Sequence, residues 1–347
     1  MTQTRQIVLA SRPETAPGAE HFRLETTTLP PLADGQIRVR LIWMSLDPYM
    51  RGRMSAAKSY VPPIAIGAPM QAGAVAEVME SRHRRFRAGD VVLGHFPWAD
   101  QALSDGAGVM TLDRAAAPLA AWLGVLGMPG FTGWVGLNRI ANAQPGETIV
   151  VSAATGAVGS MVCQLAKARG LRVIGVAGGS AKCARAVLDY GADVCLDHRG
   201  AADARALSRA IAESAPDGVD VYFENVGGKT LEAVLPRMKD HGRIAVCGMI
   251  AWYSGAEAPP PLPPAWQLIL TRRLRVQGFI VTDHQAHFPE FVAEVAPMVG
   301  AGAIRWHETV AEGLDRAPAA FLSLLSGGND GKQLVRVGAD PAGASHG

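Results

Sequence analysis

Several common signatures are scarce or missing in this sequence of 347 residues. Its four cysteines, Cys163, Cys183, Cys195 and Cys247, are widely and irregularly spaced with no Cys-x-x-Cys pair, so neither a disulfide framework nor a zinc cluster is encoded. A reducing cytosol is the home this composition implies. The net charge is only +2 and no long basic run exists, which argues against a nucleic-acid surface. The short cluster Arg82, Arg84, Arg85 and Arg87 reads as a solvated turn. The most apolar run, Leu119 to Phe131, is broken by Gly124, Gly127, Pro129 and Gly130, too often for a membrane span. Nor does an apolar stretch of the signal-peptide kind follow Met1–Arg5.

What is present divides into three stretches, and the length favours two domains. The first stretch is β-rich: Gln36 to Leu46 alternates around Ile37, Val39, Leu41 and Trp43, and short apolar runs follow at Gly73–Met79 and Asp90–Leu93. Beyond about residue 130, short all-apolar strands alternate with helical spacings. Strands are expected at Thr148–Ser152, Arg172–Ala177, Val194–Leu196, Val219–Phe223 and Arg243–Cys247, with helices over Ala157–Arg169 and Ser180–Asp189. That alternation predicts an α/β fold with a parallel doubly wound sheet. The tail predicts a helix over Leu314–Ser326 and a strand, Gln333–Val337, that returns to the first domain. The run Pro259-Pro260-Pro261-Leu262-Pro263-Pro264 reads as a rigid loop, since proline suits neither a helix interior nor an inner strand.

The strand Thr148–Ser152 leads into Ala154-Thr155-Gly156-Ala157-Val158-Gly159 and then a helix, a dinucleotide turn with alanine at its first glycine position. Gly156 lets the backbone approach a pyrophosphate and Gly159 allows tight helix–strand packing, while the helix N-terminus supplies free N–H groups. An NAD enzyme usually places an acid at the end of the second strand for the ribose hydroxyl. Here the chain reads Gly178-Gly179-Ser180-Ala181-Lys182. A cation without an acid favours NADPH, and a charge-assisted hydrogen bond from Lys182 is worth roughly 1.5–3 kcal/mol.

Asp47-Pro48-Tyr49-Met50-Arg51-Gly52-Arg53-Met54, Gly127-Met128-Pro129-Gly130-Phe131-Thr132, the phosphate turn, Ala177–Cys183, Glu224-Asn225-Val226-Gly227-Gly228, Gln277-Gly278-Phe279-Ile280 and Asn329-Asp330-Gly331-Lys332 occur in family order. In them the chain resembles the zinc-independent medium-chain dehydrogenase/reductase superfamily. Within it, the match is to the group of leukotriene B4 12-hydroxydehydrogenase, prostaglandin, 2-alkenal and bacterial curcumin reductases. The resemblance implies a GroES-like β-rich substrate domain, residues 1–127 and 302–347, and a Rossmann NADPH-binding domain, residues 128–301. It implies cofactor contacts at Met128, Thr132, Gly156, Ala157, Val158, Gly159, Lys182, Asn225, Cys247, Gly248, Tyr253, Phe279, Ile280, Val281 and Asn329. It also puts His198 where prostaglandin reductases carry a tyrosine near the adenosine phosphate, and it implies a homodimer.

The zinc-dependent members of the superfamily use a cysteine where this chain has Ser45, and a histidine in a region that reads Gly67-Ala68-Pro69-Met70 here. Without thiolates or imidazoles at those places a zinc ion has nothing to hold it. Conjugate reduction fits: hydride goes to the β-carbon of an enal or enone, and the enolate needs a hydrogen-bond donor at its oxygen. Tyrosine suits that role, and there are five. Tyr190 and Tyr222 read as structural. Tyr253, after a strand's C-terminal end, ranks first as catalytic residue, Tyr60 second and Tyr49 third, the last as part of the substrate wall. Trp252, Trp98 and Trp266 are candidates to line an aromatic pocket, and Cys247 reads as packing rather than as a nucleophile. Two other readings remain at this point: an NADPH quinone reductase, and a non-catalytic NADPH-binding scaffold.

Overall fold

The structure is a computed structural model and describes residues 2–253 and 263–341. The chain opens with an antiparallel ribbon of β1 (Thr2–Leu9) and β2 (Phe22–Leu29). It continues through β3 (Ile37–Ser45), the short helix α1 (Met50–Arg53), β4 (Gln71–Ser81), β5 (Val91–Pro97), β6 (Gln101–Ser104) and β7 (Met110–Thr111). In β3 the alternation expected around Ile37, Val39 and Leu41 is present, all three fully buried. The register shifts between Leu41 and Trp43, so Ile42 and Met44 are buried too.

Helix α2 (Met128–Val135) leads into the second layer system. Strands β8 (Thr148–Ser152), β9 (Arg172–Ala177), β10 (Val194–Asp197), β11 (Val219–Glu224), β12 (Met238–Val246) and β13 (Arg275–Gly278) form a parallel sheet in the order β10-β9-β8-β11-β12-β13. In order of entry this is 3-2-1-4-5-6, the doubly wound arrangement, whose ligand crevice opens between its first and fourth strands. Helices α3 (Gly159–Ala168), α4 (Ser180–Leu188), α5 (Ala204–Ser214) and α6 (Gly228–Val234) link these strands, followed by α7 (Ile250–Tyr253), α8 (Pro263–Thr271) and α9 (Phe288–Gly300). Strands β8 and β9 read as continuous apolar runs because helices cover both faces, burying Ile149, Val150, Val151, Val173, Ile174 and Val176.

The tail returns as expected. Strand β14 (Glu308–Glu312), helix α10 (Ala317–Leu325) and strand β15 (Lys332–Arg336) rejoin the first sheet, giving the order β14-β15-β3-β4-β5-β7 with β6 beside β3. Two sequence expectations need correcting. Strand β12 begins at Met238, five residues earlier than its apolar core suggested, because Met238 pairs with Val219 across a register shift. Pro263 and Pro264 open helix α8 instead of extending a loop; in the first turn proline's missing N–H costs nothing. Residues 259–262 of that proline run lie outside the described residues.

Candidate active site

The phosphate turn sits at the C-terminal end of β8, beside the turn that follows β11. The chain reverses through Ala153 at φ +48, in the left-handed region. A Cβ at Gly159 would lie 2.1 Å from the Ala153 carbonyl oxygen, so only glycine fits there. Gly156, Ala157 and Val158 are partly open on the crevice side. The neighbouring turn is tied on by Ser152 and Asn225: the Asn225 N–H donates to Ser152 Oγ at 2.8 Å, and its Nδ2 donates to Ser152 O at 2.7 Å. Beneath them lies Glu224, 1% exposed, whose Oε1 accepts from Ser152 Oγ at 3.0 Å and from the Val226 N–H at 2.6 Å. Burial pushes this carboxyl above its ordinary range. The Glu224 carbonyl also accepts from the N–H groups of Cys247 and Gly248. One buried acid thus braces both the Asn225 and the Cys247–Gly248 segments. In the sequence, Glu224 stood only as the first residue of the Glu224–Gly228 segment that carries the resemblance, with no role of its own.

At the far end of the crevice, the structure assembles a basic pocket. Lys182, in the first turn of α4, donates to the carbonyls of Gly327 at 2.9 Å and Asn329 at 2.6 Å, and partial burial lowers its pKa. His198 and Arg199 come from the end of β10 and crowd Gly178: a Cβ there would lie 2.9 Å from His198 Nε2 and from Arg199 Nε. Burial, then the nearby Lys229 and Arg199, lower the pKa of His198. The sequence reading found no acid after β9, yet Asp197 arrives from β10. It braces the turn: Oδ1 accepts the N–H of Gly179 at 2.7 Å and of Arg199 at 2.8 Å, which holds its pKa down. Arg199 and Lys229 were missed because distant segments carry them in, Arg199 from the end of β10 and Lys229 from the first turn of α6. Three cationic side chains and an imidazole around a glycine-lined hollow match the donor set a 2′-phosphate requires. The residues present therefore fit a phosphorylated dinucleotide.

The other residues expected at the site lie on the flanking segments. Met128, at the start of α2, is 39% exposed, and Thr132 Oγ1 donates to its carbonyl at 2.7 Å. Phe279 packs edge-on against Phe223, with ring centroids 6.5 Å apart, and Ile280 and Val281 follow it half-buried. Asn329 sits on the opposite lip, its Nδ2 donating to Gly331 O at 2.8 Å. Burial pushes the Cys247 thiol up to about 12, which keeps it protonated and supports its reading as packing.

The five tyrosines occupy different environments. The Tyr253 hydroxyl accepts from the Met249 N–H at 3.1 Å and lies over Gly248, and burial raises its pKa. Its own proton has no acceptor among the described residues. Tyr60 is 61% exposed as a residue, but loss of solvent at its hydroxyl and the proximity of Tyr253, Cys247 and Asp47 push it up to about 12. Tyr49 packs on the first-domain core beside Asp47, Arg53 and Tyr60, and burial raises its pKa strongly. Arg53 and His95 complete this wall, 3.4 Å apart, and His95 was not foreseen. Tyr190 and Tyr222 are fully buried, as a structural role requires.

The tryptophans divide differently. Trp252 packs on the Gly227 turn, where a Cβ would lie 2.9 Å from its ring, and stays half-exposed at the cleft. Trp98 is a correction: it is 0% exposed, stacked 6.0 Å from Phe22 and edge-on to Phe321 in the core of the first sheet, so it cannot line the cleft. Trp266, on α8, is 65% exposed. At the position of the expected zinc ligand, the Ser45 hydroxyl donates to Asp47, and Asp47 pairs with Lys332 at 2.8 Å.

Family models and known proteins match the chain over most of its length. Residues 5–112 match the model of an N-terminal domain of oxidoreductase, and residues 157–297 that of a zinc-binding dehydrogenase. The chain is 45% identical to the NADPH-dependent curcumin reductase of Escherichia coli, over 97% of this chain and 98% of that protein. It is 37% identical to prostaglandin reductase 1 of Rattus norvegicus, over 97% and 100%. Among solved structures, CurA from Vibrio vulnificus in complex with NADPH superposes with a TM-score of 0.92 at 43% identity, covering 97% of this chain and 100% of that one.

Proposed function

Because the chain belongs to the zinc-independent medium-chain dehydrogenase/reductase superfamily, in the group of curcumin, prostaglandin and 2-alkenal reductases, we propose that it reduces the C=C bond of α,β-unsaturated aldehydes and ketones with NADPH. The nicotinamide, when bound, supplies the hydride that goes to the β-carbon. The chain's own groups do the rest. Lys182, Arg199 and His198 bind the 2′-phosphate, the Gly156–Gly159 turn meets the pyrophosphate, and Met128, Thr132, Asn225, Cys247, Phe279, Ile280, Val281 and Asn329 line the remaining path. Tyr253 donates to the substrate oxygen as negative charge gathers there, and Tyr60 faces it as a second donor.

One observation carries this reading: the Tyr253 hydroxyl takes its hydrogen bond from Met249, and among the described residues its proton meets no acceptor, so it can go to a substrate oxygen. A preorganised donor at a developing oxyanion is worth about 10²–10³ in turnover. Oxidation of NADPH by a panel of enones and enals, run beside a benzoquinone, tests the proposal. Turnover of the enones supports it. Strong preference for the quinone, or inertness toward every enone, overturns it.

The same reading divides the chain into a substrate domain, 1–127 with 302–347, and a dinucleotide domain, 128–301; the tail strands β14 and β15 joining the first sheet support that division. A homodimer is supported by the edge strand β13, exposed along its whole length beside Leu270, 77% exposed, and Trp266. Leu270→Asp should then yield monomers in light scattering. A cytoplasmic location is supported by four unpaired cysteines.

A further inference from the structure

The segment Gly327–Lys332 is held at points that belong to different ends of the crevice. The Lys182 ammonium donates to the carbonyls of Gly327 and Asn329, which leaves one of its three N–H groups for a phosphate. Arg185, one turn further along α4, pairs with Asp330 at 2.8 Å. Gly331 forms a parallel bridge with Gly156 of the phosphate turn. At φ +71 it passes so close to the His307 carbonyl that a Cβ would lie 2.0 Å from its oxygen. Lys332 then turns inward. It is 3% exposed, and its Nζ donates to Leu46 O at 2.7 Å and Asp47 Oδ1 at 2.8 Å, while the other Asp47 oxygen takes the Ser45 hydroxyl. Two residues after Asp47 comes Tyr49, and then α1 with Arg53: the substrate wall.

Six residues therefore connect the cation that would meet the 2′-phosphate to the loop that would meet the substrate. The last link is a buried charge pair, which resists displacement because separating it leaves either partner desolvated and alone. We infer that Gly327–Lys332 is a strap coupling the 2′-phosphate pocket to the substrate wall, with Lys332 as the positioning residue that holds Asp47 and Tyr49. Phosphate on Lys182 and Arg199 tightens the strap, and the strap tightens the Ser45–Arg53 loop. Cofactor choice then shows in the order of that loop as well as in affinity. Coupling of this kind is reciprocal, so a ligand on the substrate wall strengthens 2′-phosphate binding by the same factor. The inference rests on the NADPH reading above.

Hydrogen–deuterium exchange of the peptide spanning residues 45–54 tests it without turnover, using saturating NADP+ in one arm and saturating NAD+ in the other. NADP+ should slow exchange in that peptide about fivefold more than NAD+ does, near the low end of measured couplings. Lys332→Met should erase the difference at saturation. Arg185→Gln, at a half-exposed position that folding tolerates better, should reduce it. Equal protection by the two nucleotides in the unmodified protein, a difference that survives in Lys332→Met, or one left undiminished in Arg185→Gln, overturns the strap. Failure to bind NADP+ in a fluorescence titration would instead overturn the NADPH reading, and the strap with it.

Discussion

The hydroxyl of Tyr253 accepts a hydrogen bond from the backbone N–H of Met249, four residues earlier, at 3.1 Å. The bond holds the hydroxyl over Gly248, and among the described residues the phenolic proton meets no acceptor. Tyr253→Phe should lower kcat for an enone by about 10²-fold and leave the dissociation constant of NADPH within about twofold of the parent. Steady-state kinetics with a fluorescence titration decide this. Unchanged turnover would pass the donor role to Tyr60, and Tyr60→Phe would then carry the loss.

Lys182→Ala should raise the Michaelis constant for NADPH by roughly ten- to a hundredfold, the equivalent of one charge-assisted bond, and that for NADH far less. Arg199→Ala should shift the same ratio in the same direction, since its guanidinium lines the same hollow. Equal effects on both cofactors would remove these side chains from the 2′-phosphate site.

The lowered pKa of His198 carries a sign that can be measured. Burial and the cations Lys229 and Arg199 favour its neutral form in the free protein. A bound 2′-phosphate dianion reverses that balance, so binding takes up a proton. NADPH affinity should therefore fall as pH rises through the titration of His198, while NADH affinity stays flat. In His198→Gln the slope should vanish; a slope unchanged by that substitution would point to the phosphate's own ionisation.

Gly159→Ala should fail for steric reasons, because its Cβ would meet the Ala153 carbonyl at 2.1 Å. The expected cost is about 1–3 kcal/mol of stability together with loss of NADPH binding, read by thermal melting with and without cofactor. A melting point that does not move would mean the turn relaxes more easily than its packing suggests.

Trp98→Ala separates packing from recognition. Removing a ring buried between Phe22 and Phe321 should cost about 3–5 kcal/mol. In whatever protein remains folded, the Michaelis constant for an enone should match the parent. A selective rise in that constant would return Trp98 to the substrate wall.

Sequence alone determined the parallel sheet and the glycine turn at its first strand. Both rest on short-range regularity: apolar strands buried on both faces, and glycines at a turn without room for a Cβ. The tertiary structure decided what depends on distant segments meeting. Arg199 reaches the Lys182 pocket from a neighbouring strand, Asp197 spends its charge on backbone N–H groups instead of opposing a phosphate, and Lys332 finds Asp47 across 285 residues. Trp98 belongs to the same class: its composition suits a pocket or a core equally, and only the rings of Phe22 and Phe321 closing on it settle which. Local spacing encodes an element's face, whereas a side chain's partner is set by how the sheets and the returning tail pack.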